Sequence, residues 1–171
     1  DDDRERRRLA EALSPGSPVE PGTAMVLATS GSTGTPKGAL LGASALRASA
    51  AATHARLGGP GQWLLALPAH HIAGMQVVLR SLAAGHEPAV VDVSTGFDPG
   101  LLVRAVASMS GPRRYTSLVP TQMVKALDRP DAVAALASLD AVLLGGAATP
   151  APVLERALAA GIAVVRTYGM S

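Results

Sequence analysis

The sequence contains no cysteine and very few aromatic residues. The lack of cysteine excludes disulfides, a thiolate zinc site and a cysteine nucleophile. Hydrophobic residues make up 48% of the chain but aromatic residues only 2%, so any core must consist mainly of alanine, leucine and valine. No stretch approaches the roughly 18 uninterrupted apolar residues that a membrane-spanning helix needs. We therefore expect no membrane insertion.

An excess of one charge is also lacking. The 15 basic and 13 acidic residues give a formal net charge of +2, which is too balanced to predict a nucleic-acid partner. His70 and His71 do not stand at metal-ligand spacing from another ligand type, so the chain itself predicts no metal site. No secretory leader is visible, and we expect a cytoplasmic protein.

What the sequence does contain is a loop rich in hydroxyl groups and glycine, directly after the apolar run that ends at Ala28. Its hydroxyl side chains are Ser30, Ser32 and Thr33, its glycines are Gly31, Gly34 and Gly38, and its cation is Lys37. Glycine allows the backbone to approach a ligand closely, and successive N–H groups in such a loop form a concave anion site. A loop that offers only donors and a cation predicts polyphosphate binding.

The loop is not a Walker loop, because Pro36 precedes Lys37 and Gly38 follows it, which leaves no hydroxyl in the magnesium position. No GxGxxG fingerprint is present either, and no strand ending in aspartate could serve the loop as a Walker B element. A P-loop NTPase is therefore disfavoured. The run Ser-Gly-Ser-Thr-Gly-Thr-Pro-Lys-Gly instead resembles the phosphate loop of the adenylate-forming superfamily of acyl-CoA synthetases, peptide-synthetase adenylation domains and luciferases.

Three further segments resemble motifs of this superfamily and occur in the family order. Residues 67–74 (LPAHHIAG) resemble the motif whose histidine closes the acyl pocket. Residues 143–148 (LLGGAA) resemble the glycine turn that lies along the adenine and the acyl group, and residues 167–171 (TYGMS) resemble the start of the Tyr-Gly-x-Thr/Ser-Glu motif. On these motifs the chain is identified as a member of the superfamily.

Apolar strands alternate with amphipathic helices along most of the chain. This pattern predicts an α/β fold, a mostly parallel sheet flanked by helices, which the resemblance places within the large N-terminal domain of an adenylate-forming enzyme. We predict a helix and a linker over residues 1–22 and the partial domain over 23–171, without the mobile C-terminal domain. The predicted strands are 23–29 (buried), 39–41, 63–67, 89–93, 115–119, 141–144 and 163–167; the predicted helices are 43–57, 72–84, 99–108, 120–127, 132–136 and 150–160. Four of the predicted strands end at the four motifs. In parallel sheets, ligands bind beyond the carboxyl ends of the strands.

The resemblance implies a reaction in two halves. A carboxylate attacks the α-phosphate of ATP to give an acyl-adenylate and pyrophosphate, and the thiol of CoA then displaces AMP. It also implies that Mg²⁺ accompanies ATP, bound by a glutamate that follows Ser171 in the family. The implied nucleotide-binding residues are Thr29, Ser30, Gly31, Ser32, Thr33, Gly34, Lys37, Gly145, Gly146, Ala147, Tyr168, Gly169 and Ser171. The implied catalytic residues are Lys37 and His71, and the implied substrate-binding residues are His71, Arg80, Gly146 and Met170.

Within the superfamily, residues 64–81 and 115–122 resemble the o-succinylbenzoate–CoA ligases of menaquinone biosynthesis. Arg80 follows His71 by nine residues inside an otherwise apolar helix, where a guanidinium needs a counter-anion or a route to solvent. We hypothesise that Arg80 binds the aromatic carboxylate of o-succinylbenzoate; the alternative is an outward-facing arginine. Ser117, Thr121 and Gln122 are further candidates for the acyl pocket.

The chain begins without methionine and stops inside a motif, so we expect a fragment that is inactive alone, because the ribose-binding aspartate and the C-terminal catalytic lysine of the family are also missing. Two alternatives stay open for the function: another aryl- or acyl-CoA ligase, or a non-catalytic nucleotide-binding module. A homodimer is also an open expectation, because members of the superfamily often dimerise.

Overall fold

The computed structural model describes residues 7, 10, 11, 13, 15–29 and 37–168, with the backbone alone at positions 29 and 37. The strands are β1 (Thr23–Thr29), β2 (Lys37–Gly42), β3 (Gln62–Leu65), β4 (Ala89–Val90), β5 (Arg114–Leu118), β6 (Ala141–Leu144) and β7 (Val164–Arg166). The helices are α1 (Ala43–Arg56), α2 (Ile72–Ala83), α3 (Pro99–Ser108), α4 (Pro120–Leu127), α5 (Pro130–Ala137) and α6 (Ala151–Ala159). Most of the predicted N-terminal helix lies outside the described residues.

Five of the strands form one parallel sheet in the order β4-β3-β5-β6-β7. Each strand of this sheet is followed in the chain by a helix, except β7, so the connections between parallel strands are helical crossovers. The predicted mostly parallel α/β fold is therefore confirmed. The predicted strand 89–93 is shorter than expected, because only Ala89 and Val90 pair with β3 in register.

The first predicted strand was assigned wrongly as a buried strand. It pairs with β2 in a separate antiparallel ribbon, in which Thr29 lies opposite Lys37. Among its described side chains only Leu27 is buried. Within the described part of the chain the ribbon is therefore only partly covered, whereas the central strands β3, β5 and β6 of the parallel sheet are buried along almost their whole length.

Alternate side chains of the parallel sheet point to opposite faces, and each face has its own hydrophobic cluster. On one face Leu64, Leu118 and Val142 pack against the buried sides of α3, α4 and α5 in an aliphatic cluster. On the other face Trp63 and Tyr115 form a cluster with the residues Leu65, Val77, Ala141 and Leu143. The ring centroids of Trp63 and Tyr115 are 5.1 Å apart, and both side chains are fully buried. Two of the few aromatic residues are thus concentrated beneath helix α2, on the face of the sheet that also carries the site.

Candidate active site

A cleft of about 280 Å³ opens where β3, β5, β6 and β7 end. Because these strands are parallel, their carboxyl ends meet at one edge of the sheet, and helix α2 closes the cleft from one side. The residues in or just after the strands that line it are Leu67, Ser117, Leu118, Val119, Leu143, Gly145, Gly146, Thr167 and Tyr168, and the helical ones are Ile72, Ala73, Gln76 and Arg80. The structure thus brings three of the four predicted motifs to one place.

A second cleft adjoins the first on the side of β7. It has a volume of about 570 Å³ and shares Gly146, Thr167 and Tyr168 with the first cleft. Its remaining lining comes from Leu144, Ala147, Ala148, Thr149 and Arg166. Tyr168 is 89% exposed, so its ring is available as a flat contact surface. The glycine turn and Tyr168 therefore lie between two neighbouring spaces.

The glycine turn needs glycine at both positions. Gly146 has a φ of +82°, which a residue with a side chain rarely adopts. At Gly145 an added Cβ would lie 2.1 Å from the Thr167 hydroxyl oxygen and 3.0 Å from the Thr167 carbonyl oxygen. The loops after β6 and β7 can approach each other only because this side chain is absent.

Gln122, one of the three further candidates for the acyl pocket, does not line the first cleft. It is buried, and its amide nitrogen donates to the Ala66 carbonyl at 2.7 Å while its amide oxygen accepts from the Val119 backbone N–H at 3.0 Å. Both ends of the amide therefore join the end of β3 to the end of β5. Thr121 is exposed and lies outside the lining of either cleft, whereas Ser117 lines the first cleft, and its role in an acyl pocket stays a prediction.

Arg80 points inward rather than outward. Its guanidinium carbon lies 5.2 Å from the centroid of the Trp63 ring, and its Nε is buried without a hydrogen-bond partner among the described residues. Burial lowers the pKa of Arg80 from its usual value. No carboxylate of the described residues forms an ion pair with Arg80. The cleft therefore contains a partly desolvated cation whose counter-anion is not supplied by the described part of the chain.

Trp63 is itself fixed from two sides beneath Arg80. Its backbone N–H donates to the Ser81 hydroxyl at 3.2 Å, and its indole Nε1 donates to Nε2 of His54 at 3.3 Å. Burial, and secondly the charge of Arg80, lower the pKa of His54 below its ordinary value of 6.5. The folded protein therefore favours the neutral imidazole, which is also the form whose Nε2 can accept the indole hydrogen bond.

This arrangement predicts a pH dependence of stability. Because the folded pKa of His54 is lowered, the unfolded chain binds more protons than the folded one below about pH 6.5, and the free energy of unfolding falls as the pH drops through that window. The stabilisation that neutral His54 contributes is fully present above about pH 6.5 and is lost as the pH falls towards the folded pKa. We expect His54→Gln, which keeps an acceptor but does not titrate, to reduce the slope of the unfolding free energy between pH 7.5 and 5.5 in urea titrations. His70→Gln, at an exposed histidine, is the matched control; an unchanged slope in His54→Gln would contradict the expectation.

His71 begins helix α2 at the edge of the first cleft. It is the N-cap residue, with a φ of −99°, and its side chain is exposed, with its ring centroid 4.3 Å from that of His70. The next two residues, Ile72 and Ala73, line the cleft. The predicted role of His71 at the acyl pocket is compatible with this position and stays a prediction.

Most of the predicted phosphate loop lies outside the described residues. The loop residues outside the description are Ser30, Gly31, Ser32, Thr33 and Gly34, together with the side chains of Thr29 and Lys37. At the C-terminal end of the chain, the predicted site residues Gly169, Met170 and Ser171 also lie outside the described residues. The backbone does show where the loop is attached: it connects β1 and β2, whose ends at Thr29 and Lys37 face each other across the ribbon. The roles assigned to these residues stay predictions.

Three residues of the site were missed by the sequence analysis: His54, Trp63 and Gln76. Gln76 could have been found, because it stands four residues before Arg80 on the same face of an apolar helix. The His54–Trp63 pair could not, since nothing local in the sequence brings residues of α1 and β3 together.

Comparison with known proteins gives the family. The family model of the AMP-binding enzymes matches residues 2–171, and the chain belongs to that family. It is 56% identical to the probable 2-succinylbenzoate–CoA ligase of Mycobacterium tuberculosis (strain H37Rv) over 95% of this chain and 43% of that protein. It is 37% identical to the 2-succinylbenzoate–CoA ligase of Escherichia coli (strain K12) over 84% of this chain and 29% of that protein. The chain thus spans less than half the length of these curated relatives.

Solved structures show the same fold. The o-succinylbenzoate coenzyme A synthetase of Bacillus subtilis, in complex with AMP, has a TM-score of 0.71 at 28% identity, over 88% of this chain and 37% of that one. A malonyl-CoA ligase in a ternary product complex with methylmalonyl-CoA and AMP has a TM-score of 0.73 at 28% identity, over 91% of this chain and 35% of that one. The second likeness shows that the fold alone does not choose the acyl substrate.

Among the described residues, no helix is both long and apolar enough to cross a membrane.

Proposed function

We propose that the chain is the nucleotide- and acyl-binding part of an AMP-forming acid–CoA ligase that activates o-succinylbenzoate. The observation that carries the proposal is Arg80, a partly desolvated cation without a carboxylate partner among the described residues, which lines a cleft otherwise formed largely by apolar and small residues. A second carboxylate on the acid would neutralise it. o-Succinylbenzoate has such a group on its ring, in addition to the carboxylate that is activated.

The two adjoining clefts fit the two substrates of the first half-reaction. The acid occupies the first cleft, with Arg80, which is called the acyl cleft below. The adenosine of ATP occupies the neighbouring cleft against Tyr168, whose ring offers a flat contact for the adenine. Gly146 and Thr167 lie at the junction, where the attacking carboxylate and the α-phosphate must meet. Attack by the carboxylate oxygen forms the acyl-adenylate, the α–β phosphoanhydride bond breaks, and pyrophosphate leaves. In the second half-reaction the thiol of CoA attacks the acyl carbonyl and AMP leaves.

Holding two anions together requires charge neutralisation and alignment. Lys37 and the hydroxyl and N–H groups of the phosphate loop would neutralise the β- and γ-phosphates. His71 would close the acyl cleft at the start of α2. Mg²⁺ is expected to accompany the triphosphate, but the described residues contain no group of three or more His, Cys, Asp or Glu side chains that could hold a metal ion.

The likeness to the malonyl-CoA ligase favours a second candidate, a ligase for a small aliphatic dicarboxylic acid, because malonate would also offer Arg80 a second carboxylate. The cleft volume of about 280 Å³ and its predominantly apolar lining favour the larger aromatic acid.

Carboxylate-dependent ATP–pyrophosphate exchange tests the proposal. The full-length gene product that contains these residues is assayed with o-succinylbenzoate, benzoate and malonate, beside the 171-residue chain. We expect exchange with o-succinylbenzoate by the full-length product and little or none by the chain alone. Exchange with malonate but not o-succinylbenzoate would establish the second candidate, and no exchange with any acid would leave a nucleotide-binding module.

A further inference from the structure

Gln76 is the second polar side chain of helix α2 in the acyl cleft. It stands four residues before Arg80, and both side chains line the same cleft. Within the described part of the chain no group donates a hydrogen bond to its buried amide oxygen, and no group accepts one from the buried Nε–H of Arg80. Among the described residues these are the two buried side-chain polar atoms without a partner. Both of these atoms therefore belong to side chains that line the same cleft.

A buried polar atom without a partner destabilises the free protein, and native proteins rarely retain one without a reason. Two such atoms, one helical turn apart on one helix face, indicate a pair of groups that a ligand completes. The two groups differ in chemistry. Arg80 offers only donors and a full charge, whereas the amide of Gln76 is neutral and presents either an acceptor or, after rotation by 180°, two donors in the same position.

We propose that Gln76 recognises the ketone of the acid substrate, with its amide NH₂ donating to the ketone oxygen while Arg80 binds the ring carboxylate. The inference rests on the proposed function. With both carboxylates ionised, o-succinylbenzoate has no hydrogen-bond donor, so an amide in the cleft can pair with it only through the NH₂ group. A neutral donor suits the neutral carbonyl, and the cation suits the carboxylate. The rise of about 6 Å between residues four apart in a helix lets the two side chains reach neighbouring groups of one ligand.

Gln76 would therefore be a specificity-determining residue. It would select acids that carry a carbonyl between the ring and the activated end over otherwise identical acids with a methylene there. A donor that loses its acceptor in a desolvated site reduces affinity by roughly tenfold.

The test uses the full-length gene product and two acids, o-succinylbenzoate and its analogue with CH₂ in place of the ketone. In ATP–pyrophosphate exchange we expect the wild type to prefer o-succinylbenzoate over the CH₂ analogue in kcat/KM by roughly tenfold. In Gln76→Leu the preference disappears, through a higher KM for the ketone substrate only, while the KM for ATP stays unchanged. Gln76→Glu, which has nearly the same shape but offers acceptors and a negative charge, should lose still more with the ketone substrate.

Leu82→Ala, at a residue that is 56% exposed on the same helix, controls for general effects of altering α2. An equal loss of kcat/KM with both acids in Gln76→Leu would overturn the inference. Gln76 would then serve in packing or bind a water molecule. If a variant fails to fold, the wild type still decides: equal kcat/KM for the two acids overturns the inference while exchange with o-succinylbenzoate upholds the proposed function. Absence of exchange with o-succinylbenzoate in the wild type overturns the proposed function, and the inference falls with it.

Discussion

Arg80→Ala is expected to raise the KM for o-succinylbenzoate about 100-fold and to leave the KM for ATP within about twofold. A charge-assisted hydrogen bond contributes roughly 1.5–3 kcal/mol, which corresponds to about ten- to a hundredfold in affinity. The upper end applies here because Arg80 is partly desolvated and its guanidinium is fixed over the face of Trp63 at 5.2 Å. Solvent screening, which weakens exposed pairs, is reduced at such a site.

The measurement is ATP–pyrophosphate exchange by the full-length gene product, with o-succinylbenzoate varied at saturating ATP and then ATP varied at saturating acid. Arg80→Lys keeps the charge but loses the planar guanidinium that stacks on the indole, and an intermediate KM is expected. Equal increases in both KM values would show that Arg80 supports the whole site instead of one substrate.

Two controls isolate the carboxylate. Arg104→Ala removes an exposed arginine from α3, away from both clefts, and should leave both KM values unchanged. An analogue of o-succinylbenzoate without the ring carboxylate should bind the wild type and Arg80→Ala almost equally. A large effect of Arg80→Ala on this analogue as well would contradict a direct pairing between the guanidinium and the ring carboxylate.

Much of the sheet was predictable because its signals are local. Short apolar runs bounded by proline and glycine predicted β5, β6 and β7 to within a residue or two, and Pro120 marked the first turn of α4. The ribbon was not predictable in the same way. Residues 23–29 have the apolar composition of a buried strand, but the partner and the covering layer of a strand are decided by tertiary contacts.

The position of the site was predictable, but the direction of its side chains was not. Parallel topology places the strand ends at one edge, so motifs that follow the strands had to meet there. Arg80, by contrast, lies on an apolar helix whose sequence allows either orientation. Its inward position depends on Trp63, which arrives from β3 and is fixed by His54 of α1. Gln122 shows the opposite case: its place in the sequence made it a candidate for the acyl pocket, but the backbone of two strand ends uses both of its polar groups.

Gly74→Ala is expected to destabilise the protein by about 2 kcal/mol and to weaken the binding of the acid in the acyl cleft. Gly74 is the third residue of α2, and an added Cβ would lie 2.2 Å from the Pro68 carbonyl oxygen and 3.0 Å from that of Leu67. Both are backbone atoms that cannot rotate away, so the turn before the helix must move. Overpacking of this kind costs about 3 kcal/mol at the upper end of its usual range, and the better helix propensity of alanine offsets about 1 kcal/mol of it.

Thermal unfolding of the wild type and the variant measures the effect. For a chain of this size about 2 kcal/mol corresponds to a decrease in Tm of roughly 4–8 °C. Gly100→Ala is the matched control, because Gly100 is also helical but the atoms nearest its added Cβ belong to the side chains of Arg129 and Asp98, at 3.1 and 3.2 Å. The control should stay within about 1 kcal/mol of the wild type.

The same substitution also tests how the helix serves the cleft. Because Gly74 allows α2 to lie against the turn at Pro68, moving the helix displaces Gln76 and Arg80 together with it. In the full-length gene product we therefore expect Gly74→Ala to raise the KM for o-succinylbenzoate more than the KM for ATP, whose proposed contacts at Tyr168 and the phosphate loop come from other elements. A lower Tm with both KM values unchanged would mean that the helix returns to its place at the cost of strain in the turn alone. The position of Arg80 would then be determined by its contact with Trp63, and not by the close approach at Gly74.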